Sequence, residues 1–335
     1  MTHPHPQLTK RSTAQSLLRL WDAAGMAALY LALFSLCSFF IPNFLSRGNL
    51  TALAQSIISV GIVSCGMLFC LASGDFDLSV GPVAALSAIV AVLVSNHFTH
   101  STTDPSPLPM LLAIPAGIAA GALFGIINGI LIAKLRINAL ITTLATMQIA
   151  RGLAYITSGS KSIGSLNTPF NRAFGTRTFL SLPTPIWLLA ACILLAGLLL
   201  HLTIFGRKTL AIGGNPDAAR YSGINVPRTK ILIFTLMGAL AALAGIIDAS
   251  QLQNADPKAF PDLALAAISA CVLGGVSLTG GIGTILAVIV GTLIMGTVQN
   301  AMNAKNVPSD YQYLITGAIL LAAVLYDRLK QRLTR

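Results

Sequence analysis

The chain has 335 residues, 55% of them hydrophobic and 9% charged, with a formal net charge of +11 and a mean hydropathy of +0.78. Soluble domains carry about 25% charged residues, so a large water-soluble core is excluded. The basic excess does not point to nucleic acid, because surplus Lys and Arg in so apolar a chain is ordinarily topological.

Met26–Ile41 and Leu50–Ala72 carry no Asp, Glu, Lys, Arg or His, and similar runs recur to the C-terminus. A bilayer core needs about 20 apolar residues per crossing helix. The chain is therefore expected to be an all-α, polytopic integral membrane protein of about ten spans, some of them broken or re-entrant. The spans are placed at 23–41, 50–72, 79–96, 108–132, 137–157, 185–204, 230–250, 262–275, 282–303 and 311–326. This divides the chain into a tail (1–22), a transmembrane domain (23–326) and a second tail (327–335). No small-residue cleavage site follows a short apolar core, so the first run is expected to be a span. Lys10, Arg11 and Arg19 would anchor it on the cytoplasmic side. With that orientation fourteen Lys and Arg fall inside and seven outside, as the positive-inside rule requires, and both termini are cytoplasmic. The five Cys (37, 65, 70, 192, 271) lie in apolar segments without CxxC spacing. They are expected to be small buried hydrophobes rather than metal ligands.

Polarity is kept at four places. Gly74–Pro82 reads GDFDLSVGP, with Asp75, Asp77 and Ser79 between two apolar spans. Charge at membrane depth costs at least ~2.5–3.5 kcal/mol, and non-helical backbone there survives only against protein or a wet cavity. Two readings stand together: a broken helix lining the translocation path or meeting a partner, and a cap in which Asp77 or Ser79 satisfies the free N–H groups of span three. The heptad Asp77–Val83 is echoed loosely by Ser277–Gly283 (SLTGGIG), and a duplicated half would suit a transporter. In span four Gly117, Gly121, Gly125 and Gly129 repeat every four residues. This makes a smooth groove for close helix approach, inside one subunit or at a dimer seam, with Asn128 beside it. In span five Asn138, Thr142 and Thr146 form one stripe, and Gln148, Arg151 and Tyr155 a second. Such stripes either face a cavity that suits a neutral hydrogen-bonding solute or glue helices together. Gln299, Asn300 and Asn303 form a similar cluster near the outer end of span nine.

The fourth place is Phe205–Lys230, FGRKTLAIGGNPDAARYSGINVPRTK. Asn215 suits an N-cap, Pro216 the first helical position, Asp217 the positive helix end and Gly223 the C′ position. These predict a capped helix of about two turns between basic flanks, read as a docking knob for a cytoplasmic partner. No G-x-x-x-x-G-K-[ST] occurs, so ATP hydrolysis through a P-loop is not expected of this chain. HExxH, GxSxG and paired catalytic acids are likewise missing. His3 and His5 lie in the tail, His97 and His100 flank a Pro-rich loop, and His201 stands alone.

On five stretches the chain resembles the permease subunits of bacterial ABC sugar importers, the ribose/xylose/arabinose group. They are CGMLFCLASGDFDLSV (65–80), KLRINALITTLATMQIARGLAYI (134–156), FGRKTLAIGGN (205–215), ISACVLGGVSLTGGIG (268–283) and GTVQNAMN (296–303). GDFDLSV and INALITTLATMQI point to its L-arabinose branch. The resemblance implies a permease homodimer in the bacterial inner membrane, a cytoplasmic ATPase subunit that uses ATP, and a periplasmic sugar-binding protein. No cofactor is bound by the permease. It also implies that Gly213, Gly214, Asn215, Ala219, Arg220, Gly223 and Ile224 belong to the segment that couples to the ATPase. Asp77, Leu78, Ser79 and Gly81 would belong to a DLSVG signature, and polar groups of spans two, five and nine would line the path. Two departures stand at the outer face: Ala264 occupies an acidic position of the family, and Gln251 lies near where an Arg is common.

Two other classes compete with this reading. An ion- or proton-coupled secondary transporter would want a carboxylate or His relay within the spans, and only Asp75, Asp77 and Asp248 lie near enough. A membrane enzyme acting on lipid-linked substrates would want clustered acids or metal ligands, which the pattern does not offer.

Overall fold

The computed structural model describes residues 13–99 and 106–333. The tail residues Lys10, Arg11, His3 and His5, together with His100 and Arg335, lie outside them. Fourteen helices appear among the described residues: α1 Thr13–Phe40, α2 Arg47–Ser56, α3 Ile58–Ala72, α4 Val80–His97, α5 Leu108–Ala133, α6 Ala139–Ser158, α7 Thr168–Asn171, α8 Thr184–Leu202, α9 Ile204–Gly214, α10 Pro216–Tyr221, α11 Val226–Leu252, α12 Leu263–Leu273, α13 Ile285–Ala304 and α14 Ser309–Leu333. A π-helical turn spans Arg172–Thr176. Four two-residue strands form two antiparallel pairs. β1 (Ile163–Gly164) pairs with β4 (Asn254–Ala255), and β2 (Thr178–Phe179) with β3 (Leu182–Pro183).

Among the described residues seven helical stretches are long and apolar enough to cross a bilayer: Arg47–Ala72, α4, α5, α6, α8, α11 and α13. Shorter apolar helices cover Gly25–Phe40 and Leu263–Leu273, and α14 covers the tenth expected span. The protein is therefore an all-α multi-pass membrane protein.

Two spans depart from straight crossings. The second is bent at Ile57, between α2 and α3. A Cβ built on Gly296 of α13 would overlap the Ile57 side chain, so the bend fits into a glycine notch. The eighth is expected at 262–275, but α12 has only eleven residues. At 1.5 Å per residue it covers about 16 Å, roughly half a hydrocarbon core. Non-helical backbone on either side completes it.

The core forms around α3, thirteen of whose fifteen residues are buried. It packs against α8, α11, α12 and α13. The glycine stripe of span four faces inward, within one subunit. A methyl on Gly121 would overlap the Gly238 carbonyl of α11, a methyl on Gly238 would overlap the Gly121 carbonyl, and Gly125 meets the Phe234 carbonyl in the same way. Without a hydrophobic drive between helices in lipid, such backbone contact is what holds a membrane bundle together. The five cysteines are free thiols, four buried and Cys192 half-buried.

Candidate functional site: the knob end and the helix breaks

The end of the molecule that carries α9 and α10 gathers most of the residues singled out above. Thr203 caps α9 by accepting from Gly206 N (3.3 Å). Asn215 ends α9 and begins α10, accepting from Asp217 N (3.0 Å) and Ala218 N (2.9 Å). At the other end Gly223 is left-handed (φ +82°). Gly223 N donates to Arg220 O and Ile224 N to Ala219 O, both at 3.0 Å. This is a complete Schellman closure. Its apolar contact is supplied by Ile224 beside the buried Ile212, Ala219 and Val226. Asn225 then caps α11 by accepting from Arg228 N (3.0 Å). The expected caps are all present, and α10 is a small rigid knob.

The buried Ala219 fixes which face of the knob is free. Asp217, Arg220 and Tyr221 point outward, Tyr221 at 92% exposure, and Arg220 pairs with Asp217 at 3.6 Å. Tyr221 is absent from the sequence-derived residue set. It stands two positions, about 200° of helix, from Ala219, so the buried alanine was the signal that could have found it.

Gly213 differs from its neighbours on the segment, because it faces inward. A Cβ there would overlap the Ala72 carbonyl at the end of α3 and come within 2.5 Å of Gly281 N. Gly281 N donates to that same Ala72 carbonyl at 3.0 Å. Gly280 lies against Gly213 O and against Gly74 Cα. Gly74, Gly280 and Gly281 all have positive φ (83°, 86° and 78°), a conformation open to glycine at little cost. The turn after α3, at Gly74, and the turn 277–283 thus sit side by side. Each links a helix running into this end to one leaving it.

The two acids of GDFDLSV have protein partners. Asp75 Oδ2 lies 2.6 Å from Lys230 Nζ at the start of α11. Asp77 is buried; its Oδ1 accepts from Ser79 N (2.8 Å) and Ser79 Oγ (2.6 Å). Asn128 of α5 donates to Asp77 Oδ2 (3.3 Å) and to Ser79 Oγ (3.0 Å). Ser79 stands at the N-cap of α4 yet makes no side-chain cap bond. Asp77 instead closes an Asx-type turn onto Ser79, with Asn128 tying it to the glycine-lined helix. Gly81 admits another backbone: a methyl there would overlap the Phe260 carbonyl.

The other candidates do not converge on one cavity. Asn138 caps α6 by accepting from Leu140 N (2.8 Å). Thr146 Oγ1 donates back to Thr142 O (3.1 Å), and both threonines are buried. Gln148 is exposed. Arg151 donates to the carbonyls of Pro257 and of Ala259 (3.0 Å), clamping the non-helical stretch between β4 and α12. On α13, Asn300 exchanges hydrogen bonds with Asn49 of α2 (3.1 Å each way). Gln299 donates to Gln312 (3.2 Å), and Gln312 donates to Asn303 (3.1 Å). α6 packs against α4 and α5 with Thr142 and Thr146 buried, while the α13 cluster faces α2 and α14. Ala264 is buried in the core, and Gln251 is half-buried at the end of α11. No group of three or more His, Cys, Asp or Glu side chains placed to hold a metal occurs among the described residues.

A multi-pass helical bundle with broken spans is an architecture that membrane transport proteins use. The chain belongs to the family described as branched-chain amino acid transport system / permease component, whose model matches residues 49–324. It is similar to the L-arabinose transport system permease protein AraH of Escherichia coli K12, 51% identical over 95% of this chain and 94% of that protein. It is also similar to the L-arabinose ABC transporter permease protein AraH of Azospirillum brasilense, 43% identical over 95% and 91%. The ribose import permease protein RbsC of Bacillus subtilis is 42% identical over 86% of this chain and 87% of that protein. No solved structure matches the chain.

Proposed function

We propose that the chain is the permease subunit of an ATP-driven importer that carries a monosaccharide, L-arabinose, across the bacterial inner membrane. In this reading it works as a homodimer in lipid, with a cytoplasmic ATPase subunit and a periplasmic sugar-binding protein, and it binds neither ATP nor a cofactor itself. Both termini are cytoplasmic. The knob end carries Lys134, Arg136, Arg207, Lys208, Arg220, Arg228 and Lys230, the bias expected of a cytoplasmic face. The observation that carries the proposal is α10: a helix capped at both ends, held by an apolar contact on one side and presenting Tyr221 and Arg220 on the other. Tyr and Arg are the residue types that most often anchor interfaces. The L-arabinose and ribose permeases it resembles set the substrate class, and the higher identity to the former favours L-arabinose.

An ion-coupled transporter finds less support. Asp75 is engaged by Lys230 and Asp77 by Ser79 and Asn128, so neither is a free relay group, and Asp248, half-buried on α11, is a single carboxylate and not a relay. The test is purification of the chain from membranes with its candidate ATPase, followed by uptake of radiolabelled L-arabinose in vesicles supplied with the binding protein. Uptake that needs ATP and the ATPase supports the proposal. Accumulation by the permease alone, driven by an ion gradient, refutes it.

A further inference from the structure

We infer that the glycine junction of Gly74, Gly213, Gly280 and Gly281 is a transmission joint. Through it the knob moves the end of α3 and the 277–283 turn as one body, and Gly213 acts on the membrane core and not on the ATPase. This rests on the reading of α10 as the ATPase-docking element.

The argument begins with where a push on α10 can be absorbed. It cannot be absorbed within the knob, because Asn215 serves both helices and the Schellman closure fixes the exit into α11. The apolar cluster of Ile212, Ala219, Ile224 and Val226 fastens α9, α10 and α11 to one another. Displacement therefore passes to whatever α9 and α11 touch next. From α9 that is the backbone of Ala72 and of Gly280–Gly281, in contact through atoms with no side chain between them. From α11 it is the glycine seam with α5 and, in the first turn of α11, the Lys230–Asp75 ion pair, one residue beyond Gly74. Both elements reach residues 72–75, where α9 and the first turn of α11 bear on the same short stretch. The 277–283 turn is stiffened by its own bonds, Ser277 N to Ile282 O (3.1 Å) and Ser277 Oγ with Thr279 Oγ1 (2.9 Å). It is also pinned to Ala72 by Gly281 N. Backbone-to-backbone contact transmits a small displacement with little loss, because packed interiors deform poorly. A side chain at Gly213 would act as a wedge in that contact.

Gly213 and Gly74 are thus positioning residues for transport. The test uses the full transporter, permease with ATPase and binding protein, in proteoliposomes. Wild type, Gly213→Ala, Arg220→Glu and the control Gly152→Ala, whose Cβ meets open space, are compared. The readouts are ATPase copurification and L-arabinose carried per ATP hydrolysed. Gly213→Ala is expected to retain the ATPase and its basal hydrolysis while sugar per ATP falls roughly tenfold, the scale of one methyl forced into a closed contact. Arg220→Glu is expected to lose the ATPase. An unchanged sugar-to-ATP ratio in Gly213→Ala overturns the joint, and so does loss of the ATPase from that variant. Failure of the wild type to retain the ATPase overturns the docking reading instead. Hydrogen exchange on wild type covers the case in which Gly213→Ala does not fold. The amides of 277–283 should keep the same protection in nucleotide-free and vanadate-trapped complexes. Their release in either state overturns the inference.

Discussion

Substitution at Asp77 separates a carboxylate used for its charge from one used for its shape. In the wild type, Oδ1 holds Ser79 N at 2.8 Å and Ser79 Oγ at 2.6 Å, and Oδ2 takes the longer contact from Asn128. Asp77→Asn keeps the acceptor at Oδ1 and places an amide N at Oδ2. Asn128 meets this by turning its own amide over, which brings its Oδ1, a buried atom without a hydrogen-bond partner, onto the new donor and gives up the bond from its amide N to Ser79 Oγ, a loss of about 1 kcal/mol. Against that loss the variant removes a buried charge, whose desolvation costs several kcal/mol. Its stability should therefore stay within about 1 kcal/mol of wild type, with uptake near normal. Asp77→Ala removes three bonds to the carboxylate, the two short ones worth ~1.5–3 kcal/mol each, and leaves Ser79 N–H buried and unpaired. Relief of the buried charge offsets part of this, so the net loss should be ~1–3 kcal/mol. The assay is thermal unfolding in detergent beside uptake in vesicles. An Asn variant as damaged as the Ala variant in both would refute the turn argument and return Asp77 to a role that needs its charge.

Three further predictions follow from contacts elsewhere. Gly125→Ala should destabilise the bundle by ~1–3 kcal/mol, because α5 and α11 meet there through backbone; Gly152→Ala on α6 should be neutral or stabilise by up to ~1 kcal/mol, and equal midpoints for the two variants would contradict the packing. Arg151→Met should free the carbonyls of Pro257 and Ala259, speeding amide exchange and proteolysis in 254–262 while leaving the fold intact; unchanged exchange there would show that the clamp is idle. Tyr221→Ala should weaken ATPase retention at least ~30-fold, the scale of an aromatic interface anchor at ≥2 kcal/mol. Wild-type retention in a salt-washed preparation would remove Tyr221 from the docking face.

Span positions were legible because bilayer thickness imposes a length on apolar runs, and the expected and observed ends of most spans differ by only a few residues. The caps of α10 were legible for a related reason: Asn215 and Gly223 act on backbone within a few positions of themselves. What could not be read was any choice of distant partner. The four glycines of α5 announce a close contact, but nothing in their spacing names α11. The bend at Ile57 has no proline and depends on Gly296, more than two hundred residues away. The stripe of Thr142 and Thr146 suggests a wet face, yet Thr146 donates to its own helix and needs no cavity, while the Thr142 hydroxyl is buried without a hydrogen-bond partner. Arg151 reads from its stripe either as a group facing a solute or as glue between elements. Its partners are carbonyls of the non-helical stretch 254–262, whose irregularity gives no periodic signal.

The long-range polar bonds of this bundle fall largely where helices break. Asp77 with Asn128 holds the α3–α4 turn, and Asp75 with Lys230 holds the same turn to α11. Arg151 holds the stretch ahead of α12, and Asn49 with Asn300 ties the start of α2 to α13. The reason is energetic. In hydrocarbon a helix satisfies its own backbone, while each break releases N–H and C=O groups that cost several kcal/mol apiece if left bare. Side chains able to meet them are therefore retained at the breaks, and the rest of each span is free to be apolar. Breaks are also the places where two helices can move relative to each other without losing internal bonds. The same few polar residues thus stabilise the resting bundle and mark where it can flex, so substitutions at the breaks should separate stability from transport, whereas substitutions in the glycine seam should move both together.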